Sequence, residues 1–410
     1  MRYDVIVLGG GAAGMMAAIT AAESGKKVLL IEKNKELGKK LSISGGKRCN
    51  ITNAEEEQRT LLSKYGEAEP FLYSAFSEFG VQNTFSFFEH LGLPLVVQGN
   101  KRAFPHTEKA SDVVRVLTER LVQLGVTVST KTEVKRIRIE DGKIYSVEAG
   151  GAEHQADAYI MATGGVSHPE TGSTGDGFKW LLEAGHTIAE PTPTIVPLAA
   201  SDPWIGKLMG KTLTDVKITF FQEGVRKFSQ KGNILLTHFG LSGPTILNLA
   251  NKVHDLLYTG PVTATIDLFP EIDLGILDKK LFELFEENKN KMVRNTLPEF
   301  LPNGTSIVLL SLLPTVDPDT KVHSVTKEQR RALATLLKAL PVSITGLMGF
   351  DRAVVADGGV PLQEIDMRTM RSKKCSNLFI TGDLLHIKRP SGGYSLQLCW
   401  TTGHVAGKNA

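Results

Sequence analysis

The chain has 410 residues, a formal net charge of +3 and a hydrophobic fraction of 41%. This length and balance predict a globular protein of two or three domains. The basic residues are dispersed and show no stripe with interleaved aromatic side chains, so we expect no nucleic-acid partner.

The cysteines are Cys49, Cys375 and Cys399, a set too sparse for a disulfide framework and without metal-ligand spacing. The longest apolar run near the N-terminus is residues 5–8, and no stretch approaches the length of a membrane span. We therefore expect a cytoplasmic protein in a reducing compartment, with no bound metal and no membrane partner.

The N-terminal residues have the pattern of a β-α-β unit. Residues 3–8 are a short apolar stretch typical of a buried strand, residues 14–24 are a helix rich in Ala and Met, and residues 27–31 are a second apolar strand. The turn between the first strand and the helix reads Gly9-Gly-Gly-Ala-Ala-Gly14, which fits G-x-G-x-x-G.

Each glycine of this turn has a distinct expected role. Gly9 permits the tight turn, Gly11 lets the backbone approach a pyrophosphate, and Gly14 lets the helix pack closely on the strand. The free N–H groups and the positive end of the helix favour an anion. Glu32, at the end of the second strand, stands where an acid that binds ribose hydroxyls belongs. A carboxylate there disfavours a 2′-phosphate, so an adenosine ribose with free hydroxyls fits.

The remaining pattern predicts a discontinuous first domain with an insertion. The predicted helices are residues 71–91, 111–124, 274–288, 327–340 and 394–407, and the predicted strands are residues 126–128, 134–139, 143–148, 159–162, 214–220, 262–268 and 378–380. The proline-rich connector 191–194 marks a change in the sequence pattern, after which stretches of alternating polar and apolar residues follow. We assign residues 1–190 and 346–410 to a cofactor-binding domain, and residues 191–345 to an inserted domain that is part antiparallel β and part helical.

Two glycine-rich segments in the first half of the chain have the composition of loops that contact a cofactor. Ser44-Gly45-Gly46 can present successive N–H donors to an anion or to a flavin edge, and Lys40 and Arg48 can balance phosphate charge. The alternative is a mobile polar loop. Thr163 and Gly164 follow an apolar strand, and the glycine-dense run 172–177 after them is either a loop near the ligand or the start of a helix.

Two further segments lie near the C-terminus. Asp383, in Thr381-Gly-Asp383, follows an apolar strand and can accept a hydrogen bond from a ribityl hydroxyl. Ser391-Gly-Gly393 precedes the last predicted helix, and the dipole of that helix would stabilise the negative charge of a reduced flavin if its N-terminus pointed at the pyrimidine ring. The alternative is a plain turn and helix cap.

The chain resembles the BaiN/YhiN-like family, also called HI0933-like flavoproteins, over its whole length. The most specific elements are Ser44-Gly-Gly-Lys-Arg-Cys-Asn50, Thr237-His-Phe-Gly-Leu-Ser-Gly-Pro244 and Gly392-Gly-Tyr-Ser-Leu-Gln397. The resemblance implies an α/β fold with a Rossmann-like FAD-binding domain of the glutathione-reductase type, interrupted by a β-barrel-like part and a small helical part that serve as a substrate or cap domain. Asp383-Leu-Leu-His-Ile387 departs from the acidic turn that is more frequent in the family, which leaves the substrate side of the flavin open.

The resemblance also implies roles for individual residues along an extended FAD molecule. Glu32 and Lys33 would hold the adenosine ribose, Val134 would meet adenine through its backbone, and Asp383 would take the ribityl chain. The other residues expected to contact the pyrophosphate or to line the flavin are Gly9, Gly11, Ala12, Ala13, Gly14, Lys40, Gly45, Gly46, Arg48, Asn50, Thr163, Gly164, Gly393 and Leu396.

These features predict an FAD-dependent oxidoreductase that passes hydride from NADH or NADPH to an activated C=C bond of a small molecule. The alternatives are an amine-type oxidase and an RNA-modifying flavoprotein, since fold and cofactor do not choose among them. A reductase needs a proton donor, for which the candidates are His106, Tyr394, His386 and His238, and Arg102 can bind an acidic substrate group. The sequence identifies neither the substrate nor the oligomeric state.

Overall fold

The computed structural model describes residues 2–302 and 304–410. The chain divides into two units, the first made of residues up to Pro193 together with Phe350–Ala410, and the second made of Thr194–Gly349. The helices and strands of the segment before the insertion are β1 (Arg2–Leu8), α1 (Ala12–Glu23), β2 (Val28–Ile31), α2 (Ser44–Lys47), β3 (Thr52–Asn53), α3 (Gln58–Leu62), α4 (Glu69–Glu78), α5 (Val81–His90), β4 (Leu95–Gln98), β5 (Arg102–Pro105), α6 (Ala110–Gln123), β6 (Thr127–Ser129), β7 (Val134–Glu140), β8 (Lys143–Ala149), β9 (Ala152–Met161), α7 (Asp176–Glu183) and β10 (Ala189–Thr194).

The second unit and the C-terminal segment follow in chain order. The elements of the second unit are β11 (Leu198–Ala200), α8 (Pro203–Lys207), β12 (Thr212–Gln222), β13 (Val225–Thr237), β14 (Gly240–Ser242), α9 (Pro244–Thr259), β15 (Val262–Asp267), α10 (Leu274–Glu287), α11 (Val293–Thr296), α12 (Ser306–Leu310), α13 (Lys327–Lys338) and β16 (Leu340–Leu347). The first unit is completed by β17 (Val355–Gly359), β18 (Ile365–Asp366), β19 (Arg371–Ser372), β20 (Leu378–Ile380) and α14 (Tyr394–Asn409).

The boundaries between the units lie at 193/194 and 349/350, a few residues beyond the predicted 190/191 and 345/346. Strand pairing explains both differences. β10 pairs with β17, which keeps residues up to 193 in the first unit. β16 pairs with β11 as far as Leu347, which keeps that stretch in the second unit.

The first unit is built on a parallel sheet in the order β6-β2-β1-β9-β20, which β19 and β18 extend with antiparallel pairing. The strands of its centre are short and apolar, and β1 and β2 are almost wholly buried. Such runs are typical of a parallel sheet covered on both faces. The carboxyl ends of β1, β9 and β20 therefore meet at one edge of the sheet, which is where ligands bind in open α/β folds.

Two smaller sheets complete the first unit. The long strand β9 pairs antiparallel with β8, and β8 pairs with β7, so that the hairpin predicted at Asp141-Gly142 extends from the parallel sheet. A separate antiparallel sheet has the order β3-β5-β4. The predicted helix 71–91 is instead the two helices α4 and α5, because Phe79 and Gly80 have non-helical backbone angles.

The second unit contains a closed barrel in the order β11-β14-β13-β12-β15-β16, with helices packed on it. The sequence analysis found β12 and β15 but missed β13, β14, β16 and α9. The predicted helix 327–340 corresponds to α13. This helix begins with a capping box in which the side chains of Thr326 and Gln329 each accept from the backbone N–H of the other. The structure confirms the predicted α/β class with a β-barrel-like insertion.

Helices α1 and α14 pack at unusually close range in the first unit. A Cβ atom on Gly403 would lie 2.4 Å from the carbonyl oxygen of Ala13, and one on Gly407 would lie 2.3 Å from that of Ala17. The pair at spacing four thus lets the backbone of α14 lie directly on α1. This contact anchors α14 against the helix that begins at Gly11.

Replacing Gly403 by Ala tests this packing. Helix propensity alone predicts that Ala stabilises the middle of α14 by about 1 kcal/mol. The close contact predicts the reverse, a loss of about 1–3 kcal/mol in the free energy of unfolding. Urea denaturation measures the change, with Gly99→Ala as the control because a Cβ on Gly99 meets no atom within 4 Å. Stabilisation by Gly403→Ala would contradict the packing argument.

His186 is a buried histidine just after α7, and it contacts Glu364, which precedes β18, and Ser372 of β19. Its Nδ1 lies 2.7 Å from Glu364 Oε2 and its Nε2 lies 2.7 Å from Ser372 Oγ. Burial lowers the pKa of His186, although Glu364 opposes this shift. Burial disfavours ionisation of Glu364, but hydrogen bonds from His186 and Thr187 outweigh it and lower the Glu364 pKa.

Both pKa shifts make the folded state bind protons more weakly than the unfolded chain. Their contribution to stability is therefore fully present above about pH 6.5, the ordinary pKa of histidine, and is lost as the pH falls. Below this pH, we expect the free energy of unfolding to fall less in His186→Gln than in the wild type. The difference between the two losses should be on the order of 1 kcal/mol. Denaturation midpoints across this pH range measure the difference, with the exposed His106→Gln as the control. Equal slopes for the wild type and His186→Gln would contradict the assignment.

Candidate functional site

The first glycine turn lies at the carboxyl edge of the parallel sheet, directly against the end of β9. Gly9 has a φ of 104°, and a Cβ on it would lie 2.5 Å from the carbonyl oxygen of Ala162. A Cβ on Gly14 would lie 1.9 Å from the carbonyl oxygen of Gly9. By contrast, a Cβ on Gly11, the N-cap of α1, would meet no atom within 4 Å. Gly9 and Gly14 therefore make the turn possible, while Gly11 leaves the N-terminus of α1 open to a ligand.

Glu32 fixes the second strand to this turn. Its Oε2 accepts from the backbone N–H of Gly10 at 2.7 Å, and its Oε1 accepts from the backbone N–H of Asn34 at 2.7 Å. The N–H of Thr132 donates to the Glu32 carbonyl oxygen at 3.0 Å, which brings the chain just before Val134 beside Glu32. Glu32 and the segment just before β7 thus lie together.

The ends of β9 and β20 meet beside the glycine turn. A Cβ on Gly165 would lie 3.2 Å from the carbonyl oxygen of Asp383, and one on Gly382 would lie 3.3 Å from Ala13 Cβ. The Thr163 Oγ atom is buried and has no hydrogen-bond partner among the residues that the structure describes. The run 172–177 turns out to be the start of α7, with Gly175 as the N-cap, and Gly172 also packs against Asn34.

Asp383 lies between two cations. Its Oδ2 is 3.3 Å from Lys40 Nζ, and its Oδ1 accepts from Arg389 Nη2. Burial alone would raise the pKa of Asp383, but the charges and hydrogen bonds of Lys40 and Arg389 outweigh it and hold the pKa below its ordinary value. Lys40 also donates to Ser167 Oγ at 2.7 Å. Asp383 is therefore a carboxylate at neutral pH, available as a hydrogen-bond acceptor.

The segment that follows the glycine pair Gly45-Gly46 lies against the N-terminus of α14, through Asn50 and Thr52. Gly45 and Gly46 have φ values of 56° and 67°, so neither has ordinary helical geometry. In the amide orientation that satisfies both of its groups, Asn50 donates to the carbonyl oxygen of Ala103 at 3.2 Å and accepts from the N–H of Gly393 at 3.0 Å. Gly393, with a φ of 103°, is the N-cap of α14, and a Cβ there would lie 2.3 Å from the carbonyl carbon of Thr52.

Two predicted cofactor residues direct their side chains to protein partners. Lys33 Nζ lies 2.6 Å from Asp176 Oδ2 and also donates to Thr174. The Arg48 guanidinium pairs with Glu108 at 2.9 Å and stacks on Phe104, 4.3 Å from the ring centroid. These side chains stabilise the fold around the site.

The proposed proton donors differ in position. Tyr394 is the first residue of α14 and is 8% exposed, with its ring packed edge-on against Tyr65. Burial raises the pKa of the Tyr394 phenol, and Glu55 adds to the shift, so the hydroxyl is protonated at neutral pH. His106 is exposed beyond β5, and His238 belongs to the second unit. Among these candidates, Tyr394 is the one on the loop-and-helix element that carries Gly393.

The remaining candidate residues lie on β5, on α14 and in the segment after β20. Arg102 is half-buried on β5, opposite Asn53 of β3. Leu396 lies in the first turn of α14 and packs against the core, and His386 is half-buried after Asp383. Burial raises the pKa of Cys49 to about 12, so this thiol is an inert structural group.

The sequence analysis missed Arg389. Its side chain is 0% exposed and joins Asp383 to the start of α14 through Ser395 Oγ at 3.3 Å. The signal was available in Lys388-Arg-Pro390, which places cations directly before the predicted flavin loop. Nothing in the sequence alone, however, distinguishes an arginine that turns inward from one that faces solvent.

In the stretches 2–302 and 304–410, no set of three or more His, Cys, Asp and Glu side chains is arranged to bind a metal ion. Over the same stretches, no helix has the length and apolar character needed to cross a membrane.

Comparison with known proteins gives matches over nearly the whole chain. The 3-dehydro-bile acid delta(4,6)-reductase of Clostridium scindens is 29% identical, with 98% of each chain covered. The ribosomal RNA dihydrouridine synthase of Escherichia coli is 28% identical, with 98% of this chain and 96% of the relative covered. The solved structure of 3-ketosteroid-delta4-(5alpha)-dehydrogenase from Rhodococcus jostii shares the fold, with a TM-score of 0.54, 16% identity, and coverage of 100% of this chain and 96% of the other.

A family model described as the HI0933-like protein Rossmann domain matches residues 3–409. This match agrees with the parallel sheet, the glycine turn at its carboxyl edge and the acidic residue that ends β2. The chain is an FAD-dependent oxidoreductase with a Rossmann-type FAD-binding domain, and it belongs to the HI0933-like family.

Proposed function

We propose that the protein reduces a C=C bond conjugated with a carbonyl group, using FAD and electrons from NADH or NADPH. The observation that carries the proposal is the nature of the relatives matched over almost their full length. One is named as a delta(4,6)-reductase of a 3-dehydro-bile acid, and two are named as ribosomal RNA dihydrouridine synthases. Dihydrouridine differs from uridine by two hydrogens across a C=C bond conjugated with a carbonyl group, so both names describe one type of reaction.

The residues at the glycine turn fit the diphosphate of FAD. The N-terminus of α1 offers backbone N–H donors and a positive dipole end, and Gly11 places no side chain in front of them. The buried Thr163 hydroxyl, just after β9, has no hydrogen-bond partner among the described residues, so a ligand at this edge could supply one. Gly9, Ala12, Ala13, Gly14 and Gly164 would complete the wall of this site.

The rest of the cofactor would extend from this turn in two directions. Toward adenine would lie Glu32, Lys33 and Val134. The Oε1 atom of Glu32 already accepts two hydrogen bonds from Asn34 and its Oε2 accepts one from Gly10, so Oε2 retains an acceptor position for a ribose hydroxyl. Toward the flavin lie Lys40 and Asp383, with Asp383 accepting a ribityl hydroxyl. The loop residues Gly45, Gly46, Arg48 and Asn50, with Gly393 and Leu396 of the α14 region, would line the ring.

When bound, FAD supplies a two-electron carrier that takes up hydride from a nicotinamide and delivers it to the substrate. The protein supplies orientation, charge and a proton. The N-terminus of α14, capped by Gly393, favours negative charge on a ring placed beside it. Tyr394 holds a proton on its hydroxyl at neutral pH because burial raises its pKa, so it can protonate the second carbon of the reduced bond.

The substrate class has two candidates. The sequence analysis favours a small conjugated molecule, because basic residues are dispersed. The similarity to two ribosomal RNA dihydrouridine synthases, the second being the one of Haemophilus influenzae at 27% identity, favours uridine in RNA. We rank the small molecule first and regard the RNA as the alternative, with both reduced by the same chemistry.

Replacing Gly11 by Ala tests the diphosphate site. The backbone angles of Gly11 are accessible to Ala, and the new Cβ meets no protein atom, so the fold should keep its stability. The methyl group would occupy the direction from which the phosphate approaches, and we expect FAD affinity to fall by about tenfold or more. Fluorescence titration of the FAD-free protein measures the affinity.

Gly14→Ala is the matched comparison for this substitution. Its Cβ would collide with the carbonyl oxygen of Gly9, so it should lower the free energy of unfolding by about 1–3 kcal/mol. The diphosphate assignment fails if Gly11→Ala binds FAD as tightly as the wild type does.

Anaerobic mixing of the FAD-loaded protein with NADH or NADPH tests the direction of electron flow. A reductase should lose its visible flavin absorbance with one of the two nucleotides and regain it when a conjugated enone or a uridine-containing RNA is added. Tyr394→Phe should slow the return of absorbance by about 10²–10⁴-fold while leaving the nicotinamide step unchanged. Bleaching by amines alone, followed by recovery with oxygen, would show an oxidase instead.

A further inference from the structure

Arg389 is a buried cation at the candidate flavin site. Its side chain is 0% exposed, its Nη2 donates to Asp383 Oδ1, and its Nη1 donates to the carbonyl oxygen of Ile387 at 2.5 Å. Its Nε donates to Ser395 Oγ in the first turn of α14. The guanidinium therefore joins the carboxylate after β20 to the N-terminus of α14.

The charges of this cluster do not balance. Lys40 and Arg389 both pair with Asp383, so the three groups together carry one excess positive charge. The exposed fraction of the side chain is 27% for Lys40, 0% for Arg389 and 19% for Asp383. The positive ends of α1 and α14 lie beside the same residues, through Ala13 against Gly382 and through Ser395 against Arg389.

An excess of buried positive charge costs free energy unless a ligand supplies negative charge. Lys40 is partly exposed, so water screens its charge, whereas the Arg389 guanidinium is fully enclosed. A fixed charge in a poorly solvated site acts strongly on a group whose own charge changes during the reaction. A flavin ring gains negative charge when it is reduced, so such a cation favours its reduced form.

We propose that Arg389 is a positioning residue that locks Asp383 as an acceptor for the cofactor and, by its enclosed charge, raises the reduction potential of the bound flavin. The inference rests on the proposed function, because it takes FAD to lie along Asp383 and the N-terminus of α14. A guanidinium with a purely structural role would hold Asp383 in place and leave the potential unchanged.

The test compares four variants by their flavin reduction potentials, measured by dye equilibration on the FAD-loaded protein. Arg389→Met removes the charge and keeps much of the side-chain volume. It should weaken the binding of reduced flavin relative to oxidised flavin by about tenfold, a downward shift of about 30 mV for two electrons. Lys388→Met removes a cation from the neighbouring exposed position and should leave the potential unchanged.

Asp383→Asn should shift the reduction potential in the opposite direction. It keeps the inference testable if Arg389→Met does not fold or does not retain FAD. It removes the negative charge and keeps the shape, so it should favour reduced flavin and shift the potential upward. Arg389→Lys keeps the positive charge but loses the planar set of N–H donors of the guanidinium. It should retain a reduction potential close to that of the wild type while binding FAD more weakly.

Three outcomes would overturn the inference: a potential unchanged in Arg389→Met, equal shifts in Arg389→Met and Lys388→Met, or a downward shift in Asp383→Asn. These are distinguishable from failure of the proposed function. If the wild type bound no FAD, or were reduced by no nicotinamide, the proposed function would fail. If it bound FAD and turned over while the Arg389→Met potential stayed the same, only the role of Arg389 would fail.

Discussion

The close approach of backbone to backbone around α1 is the constraint on which the rest of the first unit depends. On one side of α1, Gly9 and Gly14 bring the end of β1 and the first helical turn into contact with each other and with β9. On the other side, Gly403 and Gly407 bring α14 down onto Ala13 and Ala17. Because no Cβ fits at these four positions, the helix N-terminus, the strand ends and α14 are held within a few ångströms of one another. A dinucleotide site needs this arrangement, since the phosphate must reach bare N–H groups.

Positive charge exceeds negative charge at this edge of the sheet. The positive ends of α1 and α14 lie near Lys40 and Arg389, and Asp383 is the carboxylate that these two cations share. The arrangement suits a cofactor that is already anionic at its diphosphate and becomes more anionic at its ring when reduced. Glu32, at the opposite end, is held by backbone N–H groups and so keeps its carboxylate beside the glycine turn without a cation.

The relatives join two substrates that differ greatly in size, a steroid and an RNA base, through one reaction type. Such a pairing is reasonable for a flavoenzyme, because the cofactor carries the redox chemistry and the protein adapts the surface that presents the double bond. The proposed reaction requires a flat ring beside a proton donor. In the proposal Tyr394 would supply that proton, because it is the first residue of α14 and burial keeps its hydroxyl protonated.

Local sequence determined the features that depend on short-range chemistry. The glycine turn, the acid that follows β2 and the glycines before α14 were all predicted, because each depends on residues only a few positions apart. Only the tertiary structure decided which side chains remain free for a ligand. Lys33 and Arg48 were predicted at the cofactor, yet residues distant in sequence hold their charged groups. Lys33 pairs with Asp176, and Arg48 pairs with Glu108 and stacks on Phe104. Arg389 was missed for the same reason, since the fold places a carboxylate beside its guanidinium and encloses both, and no local pattern encodes that enclosure.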